Sequence, residues 1–291
     1  MILKVALEKA IGILKTADIY TPATEAGVIL CYALRKDKTF LYTHSDYELN
    51  EEKVNRFFSM INLRAKGMPT QYITGNQEFM SIDFIVNPNV LIPRHETEIL
   101  VETILDYCTQ LKDKTDNENI EILDIGTGSG CIAISLAKYI QNCRVTAVDI
   151  SKKALETARL NAINAGVQVK VLFLKSNLFE VFRTSAMKKT TFDIIVSNPP
   201  YIDSDEMKTL QLEVKDFEPA SALFGGEDGL DFYRAIISDA GEYLKQHGLL
   251  SFEVGYRQAN DVAQLMENSY YDIKTVKDLS KIDRVVLGQL R

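Results

Sequence analysis

The chain has 291 residues, 46% of them hydrophobic and 25% charged, the balance of a globular protein with one large domain or two. A formal net charge of −7 argues against a broad phosphate-binding surface, and no apolar run approaches the length of a membrane span. Four cysteines without a CxxC pair and three scattered histidines give neither a disulfide framework nor a zinc motif, so no metal is expected and the cysteines read as reduced thiols of a cytoplasmic protein.

Residues 2 to about 66 carry helical periodicity and almost no strand signal. Ile2 to Ala10 form an amphipathic pattern with charges of both signs, unlike a signal peptide. Thr21-Pro22 reads as a helix start with proline at the first helical position, and Asn50-Glu51-Glu52 as another with an acidic first turn. Gly67 and Pro69 end the last of these helices. The expectation is a helical N-terminal domain over residues 1–68, suited to substrate recognition, then a β-hairpin linker over 69–93 with its turn at Asn87-Pro88-Asn89, then a catalytic domain over 94–291. Pro93 to Glu98 open a helix whose acids suit the dipole; Arg94, Glu96 and Glu98 either orient the hairpin against the cofactor site or simply begin that helix, the structural role being slightly preferred, and residues 113–119 read as an exposed loop.

From Ile120 onward, strand and helix patterns alternate. Strands are expected at 121–125, 144–149, 168–174, 192–196, 248–254, 271–275 and 284–287. Helices are expected at 131–140, 152–165, 231–245 and 258–267. The fold class is therefore α/β: a doubly wound, seven-stranded, Rossmann-like sheet that binds ligands beyond the carboxyl ends of its strands.

Two loops carry the chemistry. Gly126-Thr127-Gly128-Ser129-Gly130 follows a clear strand and precedes a clear helix, and its glycines permit tight turns and close ligand approach. Asp149 ends the next strand, where an acid accepts hydrogen bonds from ribose hydroxyls. The loop is Gly-x-Gly-x-Gly with Asp124 two residues ahead of it, in place of the dinucleotide Gly-x-Gly-x-x-Gly. That form suits S-adenosylmethionine, which has no pyrophosphate to cradle and whose ammonium an acid can meet. The second loop, Ser197-Asn198-Pro199-Pro200-Tyr201, follows the apolar run 192–196. Asn198 and Pro199 each precede a proline and are held extended, and the prolines lack N–H groups, so the loop is rich in carbonyl acceptors. The Asn198 side-chain oxygen and the Pro199 carbonyl can meet one planar –NH2 group, with Tyr201 supplying a flat face.

Pro69 to Gly75, Leu91 to Glu98, both loops, Phe217-Glu218-Pro219, Leu223 to Leu230 and Phe252 to Tyr256 resemble the release-factor glutamine methyltransferases (PrmC/HemK), over nearly the whole chain. The resemblance implies that Gly126 to Gly130 bend round the methionine and ribose, Asp149 holds the ribose, and Asn177 with Leu178 meets the adenine. It also implies that Asn198, Pro199, Pro200 and Tyr201 hold the side-chain amide of a glutamine in the Gly-Gly-Gln motif of a peptide chain release factor. The partner is then a protein, with no direct contact to nucleic acid or membrane, and the enzyme is expected to act as a monomer. His95 stands where the family usually has proline, and Asn177 where an acid commonly meets the adenine amino group; an amide oxygen can still accept that bond. No histidine or lysine base lies near the Asn-Pro-Pro-Tyr loop, and none is required, because an N-alkylated amide cation is very acidic. Rival substrates are a ribosomal-protein glutamine and, less favoured by the −7 charge, the adenine N6 of a nucleic acid. A cofactor-binding module that only docks on a release factor is the non-catalytic rival.

Overall fold

The computed structural model describes residues 1–112, 119–184, 187 and 190–291, so the loop expected at 113–119 lies almost entirely outside the described residues. The chain forms two compact units. One comprises Met1–Asn76 with Gln211–Phe217, the other Gln77–Leu210 with Glu218–Arg291.

The first unit is helical: α1 (Leu3–Thr16), α2 (Pro22–Leu34), α3 (Lys38–Thr43), α4 (Glu51–Ala65) and α5 (Thr70–Thr74). Asn50 caps α4 by accepting from the Lys53 amide at 2.9 Å, whereas Thr21 makes no such cap on α2. Leu3, Leu14, Ile29, Phe57 and Ile61 fill the core. Arg64 is buried there. It pairs with Glu25 and, at 2.7 Å, with Glu213, and Glu25 also accepts from the Thr70 hydroxyl at 2.6 Å. The sequence boundary at 68/69 therefore differs from the structural one: α5 belongs with the helices, and residues 211–217 return to them from far along the chain.

In the second unit the hairpin is β1 (Asn76–Phe79) and β2 (Ile82–Ile85), and its turn is Met80-Ser81, not Asn87-Pro88-Asn89. Both turn residues have positive φ (50° and 56°), a conformation normally given to Asn-Gly, which hides this turn from pattern reading. Partners outside the hairpin hold it: Glu98 accepts from the Met80 amide at 2.7 Å, and Tyr139 donates to the Met80 carbonyl at 2.6 Å. Residues 87–90 do turn, the Val90 amide donating to the Asn87 carbonyl at 3.1 Å, but the strand expected to resume at 90–92 is irregular.

The sheet is seven-stranded, as expected. After α6 (Glu96–Lys112) come β3 (Ile120–Ile125), α7 (Cys131–Tyr139), β4 (Cys143–Asp149), α8 (Lys152–Asn164), β5 (Val171–Lys175) and β6 (Phe192–Ser197). The short helices α9 (Glu206–Thr209) and α10 (Leu212–Phe217), the latter in the helical unit, were not legible as helices. The chain closes with α11 (Asp231–Ala240), β7 (Leu244–Glu253), α12 (Ala259–Met266), β8 (Tyr270–Lys277) and β9 (Asp283–Leu290). The strand order is β5-β4-β3-β6-β7-β9-β8, the first five parallel and β9 antiparallel to both neighbours. Strand residues alternate between two cores. Ile122, Ile194, Leu249 and Val285 face α6, α7 and α8, while Leu123, Ile195, Leu250 and Val286 face α11 and α12. α11 ends at Ala240 rather than 245, and β7 begins at Leu244, because an irregularity in the β6–β7 register lets the strand start before Gly248. The chain moves outward from β3 to β5 and then returns to β6 on the other side of β3. The crevice at that reversal lies beyond the carboxyl ends of β3, β4 and β6.

Candidate active site

That crevice holds a cavity of about 730 Å³, within the range of small-molecule sites. On the β3–β4 side it is lined by Gly126, Gly128, Asp149, Asn177 and Leu178, and on the β6 side by Ser197, Asn198, Pro199 and Pro200. The structure thus brings together four of the five residues of the proline loop with two of the five of the glycine loop. Thr127, Ser129, Gly130 and Tyr201 are not in the lining.

The glycine loop divides its labour. Gly126, Gly128 and Gly130 all have positive φ (75°, 57° and 85°). A Cβ on Gly130 would lie 2.8 Å from Ile134 and 3.1 Å from Ala158, so this glycine lets α7 and α8 pack together. Thr127 is buried and donates to Asp124 Oδ2 at 2.6 Å. Asp124 lies behind the loop with no exposed surface, and burial pushes its carboxyl up to about 7. Its place is therefore under the loop and outside the cavity lining.

Asp149 is the loop's anchor. Oδ2 accepts from the Gly128 amide at 2.9 Å and Oδ1 from the Ser151 amide at 2.8 Å, while burial raises its pKa against these bonds. Each oxygen retains a lone-pair direction for a further donor. Next to it, Ser176 donates to the Leu178 carbonyl at 2.8 Å and holds Leu178 at φ 46°. Asn177 spends an –NH2 hydrogen on Glu180 at 3.0 Å, which leaves its carbonyl oxygen as the acceptor end.

Across the cavity, Ser197 pins the end of β6 to β3 by donating to the Ile125 carbonyl at 2.8 Å. A Cβ on Gly126 would come within 4.0 Å of the Asn198 carbonyl, so the two loops nearly touch. The Tyr201 ring packs against Gly255 and the α11–α12 core, and burial raises its hydroxyl pKa strongly. Its carbonyl accepts from Gln258 Nε2 at 3.0 Å. Gly225 and Gly229 press on the same loop: Cβ atoms there would lie 2.7 Å from the Pro200 carbonyl and 2.3 Å from the Tyr201 carbonyl.

Residues given no role at the site by sequence also contribute to it. Pro88 to Leu91 line the cavity, and the chain ahead of them is fixed by Asn161, which exchanges hydrogen bonds with Ile85 and donates to the Ser129 carbonyl at 2.9 Å. Arg94 pairs with the buried Glu218, whose other oxygen accepts from the Ile92 amide at 3.4 Å. Glu253 closes β7 beside Asn198 and is 2% exposed. An acid at the carboxyl end of a parallel strand was the available signal, as it was for Asp149.

Residues 5–75 match the PrmC N-terminal domain family, and residues 94–216 match the Methyltransferase small domain family. The chain is 42% identical over 289 residues to a release factor glutamine methyltransferase of Clostridium acetobutylicum, covering 99% of this chain and 98% of the relative. A protein of the same description from Koribacter versatilis is 41% identical over 289 residues, covering 99% of each chain. Among solved structures, a methyltransferase from Pyrococcus furiosus superposes with a TM-score of 0.50 at 20% identity, over 72% of this chain and 90% of that one, a likeness of fold.

Proposed function

The chain belongs to the release factor glutamine methyltransferase family, and on that footing we propose that it methylates the side-chain amide nitrogen (N5) of the glutamine in the Gly-Gly-Gln motif of peptide chain release factors, with S-adenosylmethionine as donor. The observation that carries this reading is one cavity with the Asp149 carboxylate on one wall and the Asn198-Pro199-Pro200 acceptors on the other. Asp149 and the glycine turn suit a ribose, and the Asn177 oxygen with the Leu178 backbone suits an adenine edge. The donor set therefore suits S-adenosylmethionine, which Gly126, Gly128, Asp149, Asn177 and Leu178 would hold.

S-adenosylmethionine, when bound, supplies an electrophilic methyl group. An amide nitrogen is a poor nucleophile because its lone pair is delocalised into the carbonyl. The Asn198 side-chain oxygen and the Pro199 carbonyl would take both amide hydrogens of the glutamine and fix the direction of that lone pair. Orientation of this kind lowers barriers by up to about 7–11 kcal/mol in favourable systems. The same acceptors stabilise positive charge as it develops on nitrogen, an interaction strongest in the transition state. The helical unit is assigned to docking the release factor, and the enzyme to the cytoplasm as a monomer without direct nucleic-acid contact. Among the described residues, no helix is long and apolar enough to cross a membrane.

The test is Asn198→Ala. It should bind S-adenosylmethionine within about twofold of the parent yet lose methyl transfer to a release factor by at least a hundredfold, the loss expected when an oriented transition-state acceptor is removed. Transfer at the parental rate would eliminate this mechanism.

A further inference from the structure

We propose that Glu253 is a positioning residue that holds the –NH2 end of the Asn198 side chain, so that Asn198 Oδ1 is presented to the cavity. The proposal rests on the methyl-transfer reading above and adds how its key acceptor is oriented.

β6 and β7 run parallel with Ser197 opposite Phe252, so Asn198 and Glu253 are the next residues along two adjacent strands. Asn198 Nδ2 donates to Thr97 Oγ1 at 3.3 Å. Thr97 and Glu253 are each 2% exposed, and Glu253 Oε2 is buried with no hydrogen-bond partner among the described residues. The Thr97 hydroxyl and the Asn198 side chain both act on Glu253 to favour its charged form. A carboxamide has one donor end and one acceptor end. With the Thr97 hydroxyl oxygen bonded at the donor end and the Glu253 carboxylate on the adjacent strand, the acceptor end is left for the glutamine amide. An unconstrained asparagine could equally offer –NH2 to that amide, which would repel it.

Ionisation of Glu253 favours this arrangement, since a protonated carboxyl turns one of its two acceptors into a donor. Burial pushes Glu253 up to about 7, with Thr97, Arg284 and Asn198 opposing and Glu96 assisting. The groups facing it are Glu96 and Thr97 from α6, Cys131 from α7, Asn198 and Tyr201 after β6, Tyr233 from α11 and Arg284 from β9. Burial drives Cys131 up to about 12 and raises both tyrosines from their already high ordinary value, so these three do not titrate near neutrality. Asp124 does rise to about 7, but it lies under the glycine loop and is separated in the test by reading Asn198 itself.

The experiment uses the full chain with 15N-labelled asparagine, the Asn198 side-chain signals being assigned by their loss in Asn198→Ala. They should move with pH between 5.5 and 8.5 with a midpoint near neutrality, and Glu253→Gln should abolish that movement. In the same proteins, Glu253→Gln should lower kcat at pH 8 at least tenfold with S-adenosylmethionine affinity within twofold, and Glu253→Asp should recover part of it. Thr97→Val, which leaves the carboxylate in place, should weaken kcat less and keep the titration; it serves if Glu253→Gln does not fold. Asn198 signals indifferent to pH, or an identical titration in Glu253→Gln, would overturn the proposal. The resonance needs no methyl acceptor, so failure of the release-factor reading would appear only as absent turnover in the unmodified protein.

Discussion

Asp149→Asn tests the cofactor wall through a change of one atom. Both carboxylate oxygens take a backbone amide, Gly128 at 2.9 Å and Ser151 at 2.8 Å, so neither side can receive an –NH2 group without placing donor against donor. Leaving a part-buried N–H without an acceptor costs about 1–3 kcal/mol, and hydrogen bonds from hydroxyls to a charged acceptor contribute about 1.5–3 kcal/mol. The first cost falls on the loop before ligand arrives, and the second on binding alone. The expected outcome is a melting temperature lower by a few degrees and S-adenosylmethionine affinity weaker by about 10–100-fold, at about 1.4 kcal/mol per tenfold. Titration calorimetry with S-adenosylmethionine and its demethylated product measures it. Affinity within threefold of the parent in a folded variant would refute the assignment of Asp149 to the ribose.

Asp124 and Glu253 are both raised to about 7 by burial, so the stability tied to their protonated forms is complete at low pH and lost as pH climbs to about 7. Asp124→Asn and Glu253→Gln should each gain about 3 kcal/mol relative to the parent between pH 5 and pH 8 in urea unfolding, and a gap that does not change with pH would contradict the burial assigned to them. Gly229→Ala must hold a Cβ at φ 74° only 2.3 Å from the Tyr201 carbonyl, and should lose about 2–4 kcal/mol together with most methyl transfer. Gly12→Ala, inside α1 with nothing within 4 Å, should instead stabilise by about 0.5–1 kcal/mol, which separates crowding from the loss of glycine as such.

The sheet was legible because parallel strands buried on both faces read as apolar runs, and 121–125 and 192–196 match β3 and β6 to within one residue. The glycine loop and Asp149 were legible for the same reason, since they end strands whose positions are clear. Met80-Ser81 was not, because neither residue is a turn former and the turn is held by side chains, Glu78 within the hairpin and Glu98 and Tyr139 beyond it. Tyr201 was read as a face for the substrate, but the chain turns it towards Gly255, a contact 54 residues away that no local pattern encodes. Glu253 escaped notice on the same grounds: its neighbour Asn198 lies on another strand, and only the pairing of β6 with β7 makes them adjacent. α9 and α10 are four and six residues long, too short for a period to emerge.

The most direct measurement is transfer of labelled methyl from S-adenosylmethionine by the purified enzyme to a release factor, its Gly-Gly-Gln→Gly-Gly-Ala variant, ribosomal proteins and duplex DNA, side by side. The account predicts label on the unmodified release factor alone, lost with the single glutamine and lost again with Asn198→Ala. Label on the Gly-Gly-Ala factor, on a ribosomal protein or on DNA would contradict the substrate. No label anywhere, with cofactor binding intact, would contradict catalysis.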